Sequence, residues 1–352
     1  VGMRGRRSSR GPPSRRRPPL PRRPDLATVS APAPRRWQLR VVPDPSSQFD
    51  LFGPATIEPD PVAPAPPNPE LAALAERLPH GLRFGTSSWA FPGWAGLVYE
   101  RRVGEPLLAR EGLGAYAKHP MLRTFRLDRT YLAKLTPDDF RNYAAAVPAD
   151  FKFVVKAWNV VTTPMDQLSR RTPIMPATDN FLDPAFAADR IVAPAVEGLG
   201  DQLGVLLFQF PPLGYTPRQL YSFPEAIGRF LEGLPRGPQY AVELRNREVL
   251  VDRYADALAR NGVTHCFNVH PRMPPVNEQA QLLGERAWLS GNVVCRWMLH
   301  PAQDYDRARE RYFPFDRLVD PDPRNRTAVA EVVEQVFATG NDAFVIANNK
   351  AE

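Results

Sequence analysis

Six short apolar runs in this chain each end on a polar or charged residue. Arg83–Ser87 leads into Ser88 and Trp89, Phe151–Val155 into Lys156, and Gly204–Phe208 into Gln209. Tyr240–Val242 leads into Glu243 and Arg245, Val293–Cys295 into Arg296, and Ala343–Ala347 into Asn348, Asn349 and Lys350. Strands of a parallel sheet, covered on both faces, read as near-continuous apolar runs. A polar residue repeated at their carboxyl ends is how a parallel (β/α) barrel builds one site from many strands. The pattern therefore says where chemistry would occur, and much less about which chemistry.

Counted along the chain, candidate strands start near residues 83, 124, 151, 204, 240, 264, 293 and 343. Each gap has room for a loop and a helix. Thr136–Ala146 reads as a helix with Thr136 as cap, Pro137 in the first turn and acids early, where they complement the helix dipole. Glu70–Leu78 reads as a short helix with Asn68 as its cap. Arg247–Asn261 and Asn325–Thr339 each stop before a glycine, the usual carboxyl-end signal. Strand and helix alternating eight times predict an α/β fold with a closed (β/α)8 barrel. Residues 158–202 carry Pro164, Pro173, Pro176 and Pro184 and read as an extended loop over the carboxyl face, while 299–325 is rich in charge and aromatics. Long loops of this kind usually carry function.

The 352 residues suffice for one barrel of about 250 residues plus extensions. The net charge of +7 is unevenly spread: residues 1–40 hold 12 Arg, no Lys and one acid, a balance of +11, which leaves −4 for 41–352. Residues 1–80 also hold 18 of the 41 prolines. A segment with few apolar residues cannot offset its ordering entropy by burial, so 1–68 reads as a disordered Arg/Pro-rich extension. It would serve as an arginine-rich arm for nucleic acid; an over-extended reading frame in a GC-rich gene would give the same composition. The two cysteines, Cys266 and Cys295, lie inside apolar runs and read as core residues, which with no Cys framework predicts a reducing, cytoplasmic setting. No apolar run approaches the roughly 18 residues of a membrane span.

These strand ends, taken together, resemble the YecE-like proteins, the family called domain of unknown function 72. The matching residues are Gly85-Thr86-Ser87-Ser88-Trp89 with Pro92-Gly93-Trp94 and Tyr99, Thr130-Tyr131, and Phe151-Lys152-Phe153 with Lys156 and Thr163. They continue with Leu207-Phe208-Gln209-Phe210-Pro211-Pro212, Val242-Glu243-Leu244-Arg245, Arg296 with Tyr305, and Asn348-Asn349. The resemblance covers about 82–352 and implies a barrel of the triose-phosphate-isomerase type over 69–352, without implying a reaction. The chain departs from the family pattern in three places: Arg126 stands where an acid is usual, with Asp128 two residues on, Ser88 replaces a glycine, and Asn246 replaces a histidine. The pattern also usually runs on to a last helix past Glu352.

From the residues themselves, alternation puts Glu243 and Arg245 on one face, so a guanidinium would hold the carboxylate ionised. Glu243 is then a base, nucleophile or metal ligand, or one half of a structural ion pair. Lys156 is a substrate-anion ligand or amine nucleophile, or a side chain snorkelling to solvent. His300 is the best-placed histidine for proton transfer, with His270 in a similar place after the sixth strand; either also serves as a hydrogen-bonded structural residue. Arg245, Arg296, Gln209, Asn348, Asn349, Thr86 and Tyr305 are the binding candidates. Trp89, with Trp94 and Trp158, would wall a pocket or pack in the core. No cofactor is evident: no GxGxxG, GxxxxGK[ST] or GxSxG run occurs, and a divalent metal has no ligand spacing behind it. The expected ligand is a small anionic or polyol molecule, such as a phosphorylated sugar, turned over by a hydrolase, lyase or isomerase; the alternatives are a non-catalytic binding barrel and a nucleic-acid-binding one.

Overall fold

A computed structural model of the chain describes residues 61–168, 179–298 and 305–348. Nine parallel strands form one sheet: β1 (Leu82–Thr86), β2 (Leu122–Leu127), β3 (Lys152–Lys156), β4 (Leu203–Gln209), β5 (Tyr240–Glu243), β6 (Thr264–His265), β7 (Phe267–Asn268), β8 (Val293–Trp297) and β9 (Ala343–Ala347). Their order is β6-β5-β4-β3-β2-β1-β9-β8-β7. Only Cys266 separates the two edge strands, so the sheet curls into a nearly closed barrel of the triose-phosphate-isomerase kind. The sixth strand predicted from the sequence is thus split, its first half pairing with β5 and its second with β8.

Two apolar layers hold this sheet. Inside lie Val154, Val205, Leu207, Ala241, Cys266, Val294, Phe344 and Ile346, one face of alternating strands. Outside, the other face packs under the helices, with Phe125, Phe153, Val155, Leu206, Phe208 and Val242 among the buried residues. Each large side chain buried in this way contributes about 1.5–3 kcal/mol. Both cysteines are buried in these layers, as expected.

The predicted helices form, three of them close to their limits, while the one expected over Arg247–Asn261 starts only at Asp252, after a separate turn over Arg247–Val249. Thr136 caps Pro137–Ala145 in a capping box with Asp139, and Asn68 caps Pro69–Arg77. Asp252–Asn261 ends on Gly262 in the left-handed conformation at φ 62°, which a side chain rarely adopts. The loop expected over 158–202 is corrected in its second half, where Pro184–Ala187 continues helically to Leu199. Proline at the first helical position starts a helix because its missing N–H is not needed there, and Asp183 accepts from the Phe186 N–H as cap. Residues 61–68, which the sequence groups with the extension, run along 98–100: Ala65 N donates to Val98 O at 2.9 Å and Glu100 N to Ala63 O at 3.0 Å. Residues 1–60, including the arginine-rich segment, lie outside the described residues.

Candidate functional site

Strand alternation decides which polar residues share the barrel interior. Extending the interior rows by two residues gives Lys156 on β3, Gln209 on β4, Glu243 on β5 and Arg296 on β8, and Arg126 on β2 is in register with the interior Val154. These residues converge at the carboxyl-end mouth. Arg296 Nη1 donates to Glu243 Oε2 at 2.5 Å and to Gln209 Oε1 at 2.7 Å. Arg245 Nη2 pairs with the other oxygen of Glu243 and donates to Met298 Sδ at 3.1 Å. Across the barrel, Arg126 Nη2 pairs with Asp128 Oδ2 and donates to Ser87 Oγ at 3.3 Å. Lys156 Nζ lies 3.8 Å from Asp128 Oδ1 and 3.6 Å from the centre of the Tyr131 ring.

Burial makes these charges consequential. Glu243 is fully buried, and Arg126, Arg296, Arg245 and Lys156 are 3%, 5%, 7% and 7% exposed. Desolvation alone would raise the Glu243 pKa, but Arg245, Arg296 and Arg126 outweigh it and hold the carboxyl at about 2. Desolvation pushes the Lys156 ammonium down to about 7, opposed by Asp128 and reinforced by Arg126 and Arg296. Asp128 is held below its usual range because Arg126, then Lys156 and Arg296, overcome the effect of burial. Burial lowers Arg245 to about 10, still charged near neutrality.

Four cations therefore face two carboxylates. Four guanidinium nitrogens of the mouth find no hydrogen-bond acceptor among the described residues, Nε and Nη1 of Arg126, Nη1 of Arg245 and Nε of Arg296, against two carboxylate oxygens, Asp128 Oδ1 and Glu243 Oε1, that meet their cations only as ion pairs. Buried donors are normally paired, so this excess of cationic donors sets the mouth apart from the rest of the interior.

The other candidates separate from this cluster, apart from Asn348, which continues the interior row of Phe344 and Ile346. Thr86 faces outward, where its N–H donates to Tyr116 Oη at 3.0 Å and its side chain to Ser88 O at 2.9 Å. The inward residue is its neighbour, Ser87. Thr86 instead borders an outer, largely apolar cleft of about 860 Å³ beside Phe84, Trp297, Val333 and Asn348. Trp89 sits in the core, its indole N–H donating to Leu108 O at 2.8 Å and its ring edge-on to Phe125. That placement matches the packing role, not a pocket wall. Asn348 donates its N–H to Trp297 O at 2.7 Å. Tyr305 opens the helix Tyr305–Tyr312, while His300, Asn349 and Lys350 lie outside the described residues. His270 Nδ1 accepts from the Arg272 N–H at 3.1 Å, and burial followed by Arg245 lowers its pKa to about 4. Among the described residues no cluster of three or more His, Cys, Asp or Glu could hold a metal ion, and no helix is long and apolar enough to cross a membrane.

Arg126, Asp128 and Tyr131 were not among the site residues predicted from the sequence. The signal was present: Arg126 and Asp128 are two residues apart at a strand end, the spacing that singled out Glu243 and Arg245. The profile of the family described as protein of unknown function DUF72 matches residues 83–352. The chain belongs to the DUF72 family. Among solved structures it is similar to a DUF72 family protein from Thermotoga maritima MSB8, with 20% identity, TM-score 0.49 and coverage of 77% of this chain and 93% of that one. It is also similar to a DUF72 family protein from Enterococcus faecalis V583, at 16% identity and TM-score 0.45, covering 76% of this chain and 90% of that one. No curated protein matches the chain.

Proposed function

We propose that this DUF72 protein binds a small anionic, hydroxylated molecule at the carboxyl-end mouth of its barrel and acts on it there. The observation that carries this reading is the surplus of buried guanidinium donors over acceptors around Arg126, Arg245 and Arg296. Guanidinium forks bind carboxylate and phosphate oxygens in pairs.

Within this reading Glu243 is a positioning residue. A carboxyl held at about 2 between two guanidiniums is a weak base. It fixes Arg245 and Arg296, and Gln209 fixes Arg296 from a second side. Lys156, poised at about 7, is the group whose proton can move near neutral pH. Asp128 at 3.8 Å is its nearest carboxylate.

A thermal-shift screen of phosphorylated sugars, sugar acids and nucleotides, repeated with Lys156→Met, tests this. The expected result is a ligand that stabilises both proteins and is consumed only by the wild type. Stabilisation of both without turnover selects a binding protein, the reading favoured by the saturation of Glu243. No shift with any anion sinks the proposal. Nucleic-acid binding through residues 1–40 is a separate proposal carried by their +11 charge; it requires an affinity that falls steeply with salt and vanishes when those residues are removed.

A further inference from the structure

We infer that the ligand group seated in the barrel mouth is a dianion of the phosphoryl-monoester kind, and that its binding places a proton on Lys156. The inference rests on the anion-binding reading above and deepens it. With Lys156 charged, the mouth holds Arg126, Lys156, Arg245 and Arg296 against Asp128 and Glu243, four positive charges and two negative. The surplus is two. With Lys156 neutral the surplus is one.

An uncompensated buried charge is costly, and the site relieves it by losing a proton or by gaining an anion. Lys156 is the group able to lose one, since the guanidiniums stay charged near neutrality. Its surroundings explain why. Arg126 and Asp128 approach from β2 and its end, Tyr131 from the turn that follows, Glu243 from β5 and Arg296 from β8. Burial, Arg126 and Arg296 disfavour the ammonium, while Asp128 and Glu243 favour it. A bound anion adds negative charge to that balance and returns the proton.

The two kinds of anion then leave different proton counts. A monoanion balances the mouth with Lys156 neutral, so it binds above neutral pH without a proton. A dianion needs the ammonium as well, so it takes a proton from solvent. Nothing is oxidised or transferred; one proton moves from buffer to Nζ.

Isothermal titration of the full chain near pH 8 distinguishes them. The probes are methyl phosphate, a dianion there because its second pKa is about 6, and dimethyl phosphate, a monoanion of similar shape. Each is measured in two buffers of different ionisation enthalpy. The expected result is binding of methyl phosphate at least about tenfold tighter, with uptake of close to one proton. Sulfate, whose own charge does not change, is expected to weaken about tenfold per pH unit between about pH 7 and 9. Lys156→Met is expected to bind methyl phosphate more weakly, with no proton uptake. Equal affinity for the two esters, or tight methyl phosphate binding without proton uptake, overturns the dianion inference while leaving the anion site intact. Binding of none of these ions by the folded protein overturns both.

Discussion

Glu243 ties two guanidiniums of the mouth to one buried carboxylate. Its two oxygens are taken by Arg245 and Arg296, and it is wholly buried. Removing one partner of a buried ion pair strands the other charge, at a cost of about 3–5 kcal/mol. Glu243→Gln is therefore expected to lower stability by that amount, read as a fall in the urea midpoint. Its pH dependence has a definite sign. The carboxyl titrates at about 2 when folded against an ordinary value of 4.5. The unfolded state binds the proton first, so this stabilisation is complete above pH 4.5 and is lost as pH falls towards 2, worth about 3 kcal/mol. The Gln variant should show a flatter acid limb. Lys156 acts on the alkaline side: its folded value is lowered from 10.5 to about 7. The unfolded chain again holds more protons, so stability should rise from pH 7 towards 10.5, and Lys156→Met should abolish that rise. A midpoint flat across this range would show that the amine is not desolvated as described.

At the scale of the element, the strand ends were legible because alternation is strict. The spacing that places Glu243 beside Arg245 also assigns Ser87, Lys156, Gln209 and Arg296 to one interior. The same rule turns Thr86 and Trp297 outward, one residue out of step with the interior row of Ser87 and Arg296. Prolines also mislead: they mark loops by composition, yet Pro184 sits in a first turn, where the lack of an N–H is harmless. Gly85 was legible as part of a motif, but not for its physical reason. A Cβ there would stand 2.1 Å from Thr124 O, at the point where the β1–β2 register shifts. Gly85→Ala must push β1 away from β2, so it is expected to cost at least about 1–3 kcal/mol. Because Ser87 and Arg126 meet just above that point, it should also weaken the proposed anion binding at the mouth. A variant with unchanged midpoint and unchanged affinity would show that the two strands can separate without strain.

For the whole molecule, the decisive feature is how the barrel closes, and this was the least legible part of the sequence. Thr264–Val269 reads as one strand, whereas the structure uses its first half against β5 and its second against β8. Two residues per side supply few ladder bonds, so closure depends on side chains further along. Gln279, fully buried on the helix Val276–Leu283, donates to Asn268 O at 2.8 Å and to Pro274 O at 2.7 Å. Its oxygen accepts from the Asn268 N–H at 3.4 Å and lies 3.2 Å from His265 Nε2. The other nitrogen of His265 meets Tyr254 Oη at 3.1 Å, and burial lowers its pKa to about 4, so the imidazole is neutral near pH 7. One amide thus ties both halves of the broken strand to the helix that covers it. Nothing in the spacing of Gln279 within the sequence marks it, because its partners are backbone groups that converge only once the barrel has formed. Gln279→Leu keeps the bulk and strands several buried polar groups, each worth about 1–3 kcal/mol. The expected outcome is a clear drop in denaturation midpoint with fast amide exchange confined to Phe267–Val269. Since Asn268 is in register with Arg296, the proposed anion affinity should fall with it. Wild-type exchange at those amides in the Leu variant would mean that the β5–β6 and β7–β8 ladders close the barrel unaided.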